Sequence, residues 1–149
     1  MSNQETSFYY SKSSRAKLNT VASALRVIFE DALALGVIDI YIDYGARSEK
    51  DQTRLFNEKK SKVKYPNSKH NIGTAAGRTL SAAVDAVPYI PGRGATWDPA
   101  LCCILAGLVL ACAKHRGVSI RWGGNWDADA VPLIDQDFDD LAHYEIAGG

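Results

Sequence analysis

SKHNIGTAAGRTLSAAVDAVPY, residues 68–89, carries one histidine, His70, and one aspartate, Asp85. Fourteen residues lie between them, most of them small or polar. The second half, AAVDAVPY, reads as a short strand. Asp85 stands in the middle of its apolar run, where a carboxylate is costly unless it is paired or bound to a metal. The first half belongs to a long loop over 61–81, broken by Pro66, Gly73 and Gly77. Loops of that length inside small domains are usually functional or mobile. His70 sits where this loop approaches the strand, a position that tends to carry function.

Working outward, the pattern predicts a mixed domain. Residues 1–13 are polar and expected to be frayed. From Ser14, Leu18, Val21, Leu25, Ile28, Ala32 and Leu35 recur at helical steps, and Gly36 can stop the helix. VIDIYID then alternates Ile38, Ile40 and Ile42 with polar neighbours, which is strand periodicity. Ser48 with Asp51 resembles a capping box opening a polar helix through Lys60. Downstream, PGRGATWDP is a turn, and Asp98–Pro99 is a good helix start. The helix that follows carries Leu101, Ile104, Leu105, Leu108, Val109 and Cys112 and ends near Gly117. VSIRW and HYEI read as strands, separated by an irregular acidic loop. With no repeat and no linker, the expectation is one α+β domain over 1–149.

Composition narrows the function classes. Seventeen basic residues cancel seventeen acidic ones, so bulk attraction to nucleic acid or anionic lipid is not expected. No apolar run follows a basic start, so no secretion signal is read. LCCILAGLVLACA is too short to span a bilayer and reads as a buried helix, so membrane insertion is not expected. Cys102, Cys103 and Cys112 all lie in that segment, which suits small buried side chains better than a disulfide framework or a zinc ribbon.

The histidines are three: His70, His115 and His143. His115, at the end of the long helix, suits the negative end of the helix dipole. A catalytic zinc site needs three protein ligands and an open position, and His70, Asp85 and His143 form the candidate set. Asp140, three residues before His143 in DDLAH, is a candidate base for a water bound there. Alternatively, Asp135, Asp137, Asp139 and Asp140 form a solvated acidic loop, or bind calcium, although the mid-loop glycine of an EF-hand is missing.

SKHN, SAAVDAVPY, GVSIRWGGNWD and DLAHYEI, in that order, resemble the zinc peptidases of the M15 family. More closely they resemble phage L-alanyl-D-glutamate endopeptidases and their D-alanyl-D-alanine carboxypeptidase relatives. GARSEKDQTRLF matches the arginine-containing segment before the first ligand, and the resemblance runs from about residue 18 to 146. It implies a hedgehog/D,D-peptidase-like fold, an antiparallel sheet with packed helices. It implies Zn2+ held by His70, Asp85 and His143, with Asp140 as general base. Arg47, with Gln52, would hold substrate and polarise the scissile carbonyl, as a guanidinium suits both a carboxylate and an oxyanion. Ser68 would be a further substrate contact, and Trp122, Gly123 and Gly124 would line the pocket, with Trp122 the more structural of the three. Glu145 would orient His143.

Three features depart from the family pattern. Asp85 follows His70 by fifteen residues, a longer gap than usual. Asn125 stands where relatives often have aspartate, and the chain is neutral where wall-lytic enzymes are often basic. The expected protein is a monomeric phage endolysin that cleaves the stem peptide of bacterial peptidoglycan. It would be made in the host cytoplasm without a signal peptide and released to the wall later. A D-alanyl-D-alanine carboxypeptidase and a non-catalytic wall-binding module are the alternatives.

Overall fold

The computed structural model of the chain describes residues 7–126, 128 and 140–148. Helix α1 (Lys12–Leu18) starts at Ser11, whose hydroxyl accepts the Ser14 N–H, and helix α2 is Ser23–Ala34. The single helix expected here is two, because residues 20–22 leave the helical ladder to bond to a distant segment. Val21 bridges Ser81, the Ala22 N–H donates to the Ser81 carbonyl at 2.9 Å, and the Ser81 N–H donates to Thr20 at 2.8 Å. The periodicity still reports burial: Leu18, Val21, Leu25, Ile28 and Ala32 lie in the core, although Leu35 is exposed. Within the segment expected to fray, Phe8 and Tyr10 pack on the core, and the Tyr10 hydroxyl donates to the Phe29 carbonyl.

Strand β1 (Asp39–Tyr44) follows, then helix α3 (Glu49–Asn57), capped by the Ser48 hydroxyl. Strand β2 is Ala83–Ile90, and the turn after it includes a short strand, β3 (Gly94–Ala95). Asp98 caps helix α4 (Pro99–Arg116), and strands β4 (Ile120–Gly123) and β5 (Asp140–Ile146) complete the described chain. Cys102 and Cys112 are buried and Cys103 half-buried, all free thiols. Among the described helices only α4 is long and apolar enough to cross a membrane, but its Leu105, Ala106 and Val109 sit in the core. The acidic positions 135, 137 and 139, and with them the calcium reading, fall outside the described residues.

The sheet has the order β1-β2-β5-β4, with β3 beside β2, and every pairing is antiparallel. Directly opposed residues in such a ladder point to the same face. Val84, Tyr144 and Trp122 line up across β2, β5 and β4, and all three belong to the core beneath α2 and α4. The alternate set must face the other way. Asp85 opposite His143, and Glu145 opposite Arg121, therefore share the outer face.

Asp140 reaches that face through an irregularity. Trp122 pairs with Tyr144, but the next residue, Gly123, pairs with Asp140. The extra residues on β5 form a bulge, a device that re-aims side chains. Gly123 shares the parity of Arg121, so Asp140 joins His143 beside the cleft instead of alternating away from it. The close approach requires glycine, because a Cβ on Gly123 would lie 1.9 Å from the Asp140 carbonyl oxygen. Gly123→Ala is expected to destabilise the protein by ~3 kcal/mol, measured by chemical denaturation. Wild-type stability in that variant would show that the bulge relaxes freely.

Candidate metal centre

Four segments meet on the outer face. β2 brings Asp85, β5 brings Asp140, His143 and Glu145, the turn after β1 brings Arg47, and the loop after α3 brings His70. The His70 segment is stitched to the turn by a parallel bridge between Arg47 and Asn71, with the Arg47 N–H donating to the His70 carbonyl at 2.8 Å. Gly45 lets this turn approach α1, since a Cβ there would lie 2.2 Å from the Lys17 carbonyl oxygen.

His70, Asp85 and His143 each offer one ligand atom, all within 4.8 Å of one another. The outward bonds of the imidazoles fix what the inward nitrogens can do. His70 Nδ1 lies 2.8 Å from the Gly45 carbonyl, which can only accept, so Nδ1 carries the proton. His143 Nε2 lies 2.9 Å from Glu145 Oε1, again an acceptor. His70 Nε2 and His143 Nδ1 both then point at Asp85 Oδ1, each at 3.1 Å. In the neutral tautomers these are two lone pairs aimed at a carboxylate oxygen, which only a cation or extra protons can reconcile. Imidazoles oriented by a carbonyl and a carboxylate behind them are the usual support of a metal site.

The electrostatics agree. Burial would raise the Asp85 pKa, but His70 and the His143 hydrogen bond hold it well below the usual carboxylate range. Its other oxygen accepts from the Arg47 guanidinium at 2.8 Å. Burial pulls His143 down, yet its bonds to Asp85 and Glu145 win and push it up to about 9. Burial likewise opposes ionisation of Glu145, but His143 and Arg121 draw it down to about 2. Asp140 moves the other way, raised above its ordinary value first by burial and then by the Asp85 charge.

These groups line a cleft of about 560 Å³. Arg47, Ser68, His70, Asp85, Asp140 and His143 all border it. Two expected substrate contacts do not. Trp122 is almost fully buried in the core, with its indole N–H donated to the Leu141 carbonyl at 2.9 Å, because its register puts it beside Tyr144. Trp126 takes the place at the cleft, 5.6 Å from the His143 ring. Gln52 is fully buried, accepting from Asn71 and, at 3.5 Å, from Arg47, and donating to Ser61 and Val63, so it joins Arg47 to the loop that carries His70. Gly123 and Gly124 are absent from the described cleft lining. His115 is exposed on the last turn of α4. Arg78 was not legible as a site residue, yet its guanidinium donates to the Ser68 and Asn71 carbonyls that flank His70.

A family model described as phage L-alanyl-D-glutamate peptidase matches residues 6–147. The chain belongs to that family and is a peptidase of the peptidoglycan-hydrolase class. The crystal structure of the Serratia marcescens L-Ala D-Glu endopeptidase ChiX is similar in fold, with a TM-score of 0.73 at 21% identity. The similarity covers 97% of this chain and 92% of that one. No curated protein sequence matches significantly.

Glu145→Ala removes the acceptor behind His143 and is expected to lower the affinity of the site for a divalent metal about 10–100-fold, read by competition with a chelator. The sign of the His143 shift gives a second expectation. A pKa raised from 6.5 to about 9 by folding stabilises the metal-free protein below pH 6.5 and is lost as pH rises through about 9. The melting temperature of the metal-free protein should therefore fall across that window, and a metal held by His70, Asp85 and His143 should flatten the fall. A melting temperature that rises from pH 6.5 to 9 without metal would contradict the assignment of these bonds.

Proposed function

We propose that the protein is a zinc-dependent endopeptidase that hydrolyses the L-alanyl–D-glutamate bond of the peptidoglycan stem peptide, serving a phage as its endolysin. The observation that carries this reading is the convergence of two imidazole lone pairs and one carboxylate oxygen in an open cleft beside Asp140. Two nitrogens and one oxygen suit zinc, and three protein ligands leave a position for water. Family membership supports the endopeptidase over the removal of terminal D-alanine.

Zinc held there would supply Lewis acidity toward the attacking water and the scissile carbonyl. The remaining chemistry belongs to the chain. Asp140, with its raised pKa, is a stronger base than an exposed aspartate and sits on the cleft face. It takes the proton of the attacking water and returns it to the leaving amine of D-glutamate as the C–N bond breaks. Arg47 holds Asp85 through one nitrogen and borders the cleft, where its charge favours the developing oxyanion. Its ring contact with Tyr44, 4.3 Å to the centroid, keeps the guanidinium in place. Ser68 and Trp126 border the space a substrate would fill. The enzyme acts as a monomer, made in the host cytoplasm and released to the wall at lysis.

Digestion of purified peptidoglycan by the zinc-loaded protein should expose new D-glutamate amino termini, detected by mass spectrometry. Free D-alanine as the sole product would replace the reading with a carboxypeptidase. Asp140→Asn should retain one zinc per chain while kcat falls by about 10²–10⁴. Cleavage at the wild-type rate would remove Asp140 from the base role.

A further inference from the structure

Two of the three candidate ligands sit on paired strands, where register fixes them, Asp85 on β2 opposite His143 on β5. His70 is the third and lies on a loop, which holds a side chain less tightly than a strand does. Yet His70 is almost fully buried, and the carbonyls around it are engaged. The Lys69 carbonyl accepts from the Ala82 N–H at 2.9 Å, and the His70 carbonyl from the Arg47 N–H at 2.8 Å. The Ile72 carbonyl accepts from the Tyr65 hydroxyl at 3.1 Å. The carbonyls of Ser68 and Asn71 bracket the ligand. Both accept from one nitrogen, Nη1 of Arg78, at 3.2 and 3.4 Å.

Arg78 is itself held from two sides. The chain leaves the His70 turn through Gly73 and reverses at Gly77, both at positive φ. It returns with the Gly73 N–H donating to the Arg78 carbonyl at 2.8 Å. Three residues on, the buried Ser81 donates its N–H to the Thr20 carbonyl at 2.8 Å and accepts from the Ala22 N–H at 2.9 Å. The guanidinium is thereby fixed against the turn that presents His70. Arg78 lines a separate depression with Ile72 and Leu80 and does not border the metal cleft. Any effect it has on the site passes through His70.

We propose that Arg78 is a positioning residue for His70, clamping the carbonyls on either side of the ligand and so setting the direction of its imidazole. The consequence for metal rests on the reading of His70, Asp85 and His143 as a metal site. A charged donor binds a carbonyl more firmly than a neutral one. Without that donor the turn keeps its backbone bonds to Arg47 and Ala82, so the fold survives. The Ser68 and Asn71 peptides are then free to shift, and His70 Nε2 loses its convergence with His143 Nδ1. Because one nitrogen serves both carbonyls, the single ammonium of a lysine can replace it, whereas a neutral amide cannot.

The probe is Zn2+ alone, bound in competition with a chelator by wild type, Arg78→Gln and Arg78→Lys. The glutamine variant should bind about tenfold more weakly, and the lysine variant should stand closer to wild type. Amide hydrogen exchange is followed residue by residue on the metal-free proteins. In Arg78→Gln the amides of Arg47 and Asn71 should exchange about tenfold faster, while those of α4 keep their wild-type rates. Failure of the wild type to bind Zn2+ would count against the metal reading alone, and the exchange pattern would still decide the role of Arg78. Equal Zn2+ affinity in all three proteins would overturn the proposal, as would a lysine variant no better than glutamine. So would a glutamine variant that does not fold, or faster exchange that extends equally to α4, since either would make Arg78 a support of the whole fold.

Discussion

Asp85 Oδ1 lies 3.1 Å from a nitrogen of each of two imidazoles, while Oδ2 accepts from Arg47. The rest of the cleft is arranged around that one buried carboxylate. A charged group on β2, flanked by β1 on one side and β5 on the other, has little access to water. Left alone it would be strongly destabilising, and removing one partner from such a cluster typically costs several kcal/mol. Its neighbours are therefore conditions for the strand to exist there at all. Glu145 repeats the logic one step out, because Lys69 and Arg121 neutralise the carboxylate that holds His143.

Placement of these groups follows from backbone pairing more than from loop shape. Register sets Asp85 opposite His143 and Arg121 opposite Glu145, so three neighbouring strands carry these four side chains on one face. The bulge at Gly123 adds Asp140, which strict alternation would have put on the far side from His143. The price of precision is a lack of tolerance, since Gly45 and Gly123 both stand where a single methyl group would collide with a carbonyl.

Much of this was legible in the sequence because it is local. The alternation of Ile38, Ile40 and Ile42, the Ser48 and Asp98 caps and the apolar run of α4 each report a neighbour within a few residues. Asp85 betrayed itself as a charge in an apolar strand. What stayed hidden depends on partners far along the chain. The break between α1 and α2 is made by Ser81, some sixty positions later. Trp122 and Trp126 look alike in RWGGNW, and only the register with Tyr144 sends the first into the core and leaves the second at the cleft. Gln52 has the chemistry of a substrate contact, but its amide is engaged by Ser61, Val63, Asn71 and Arg47 within the fold.

The fifteen-residue gap between His70 and Asp85 looks like an obstacle until its energetics are set out. Doubling a loop costs only about 0.6 kcal/mol of closure entropy. A single net hydrogen bond returns about 1 kcal/mol, and the extra residues make several. The Gly73 N–H donates to the Arg78 carbonyl at 2.8 Å and the Gly77 N–H to Gly73 at 3.0 Å, folding the insertion on itself. Arg78 then reaches back to the carbonyls of Ser68 and Asn71. The insertion thus braces the first ligand it separates from the second. Ligand spacing along the chain is for this reason a weak signature of such a centre, and the acceptor behind each imidazole is the stronger one.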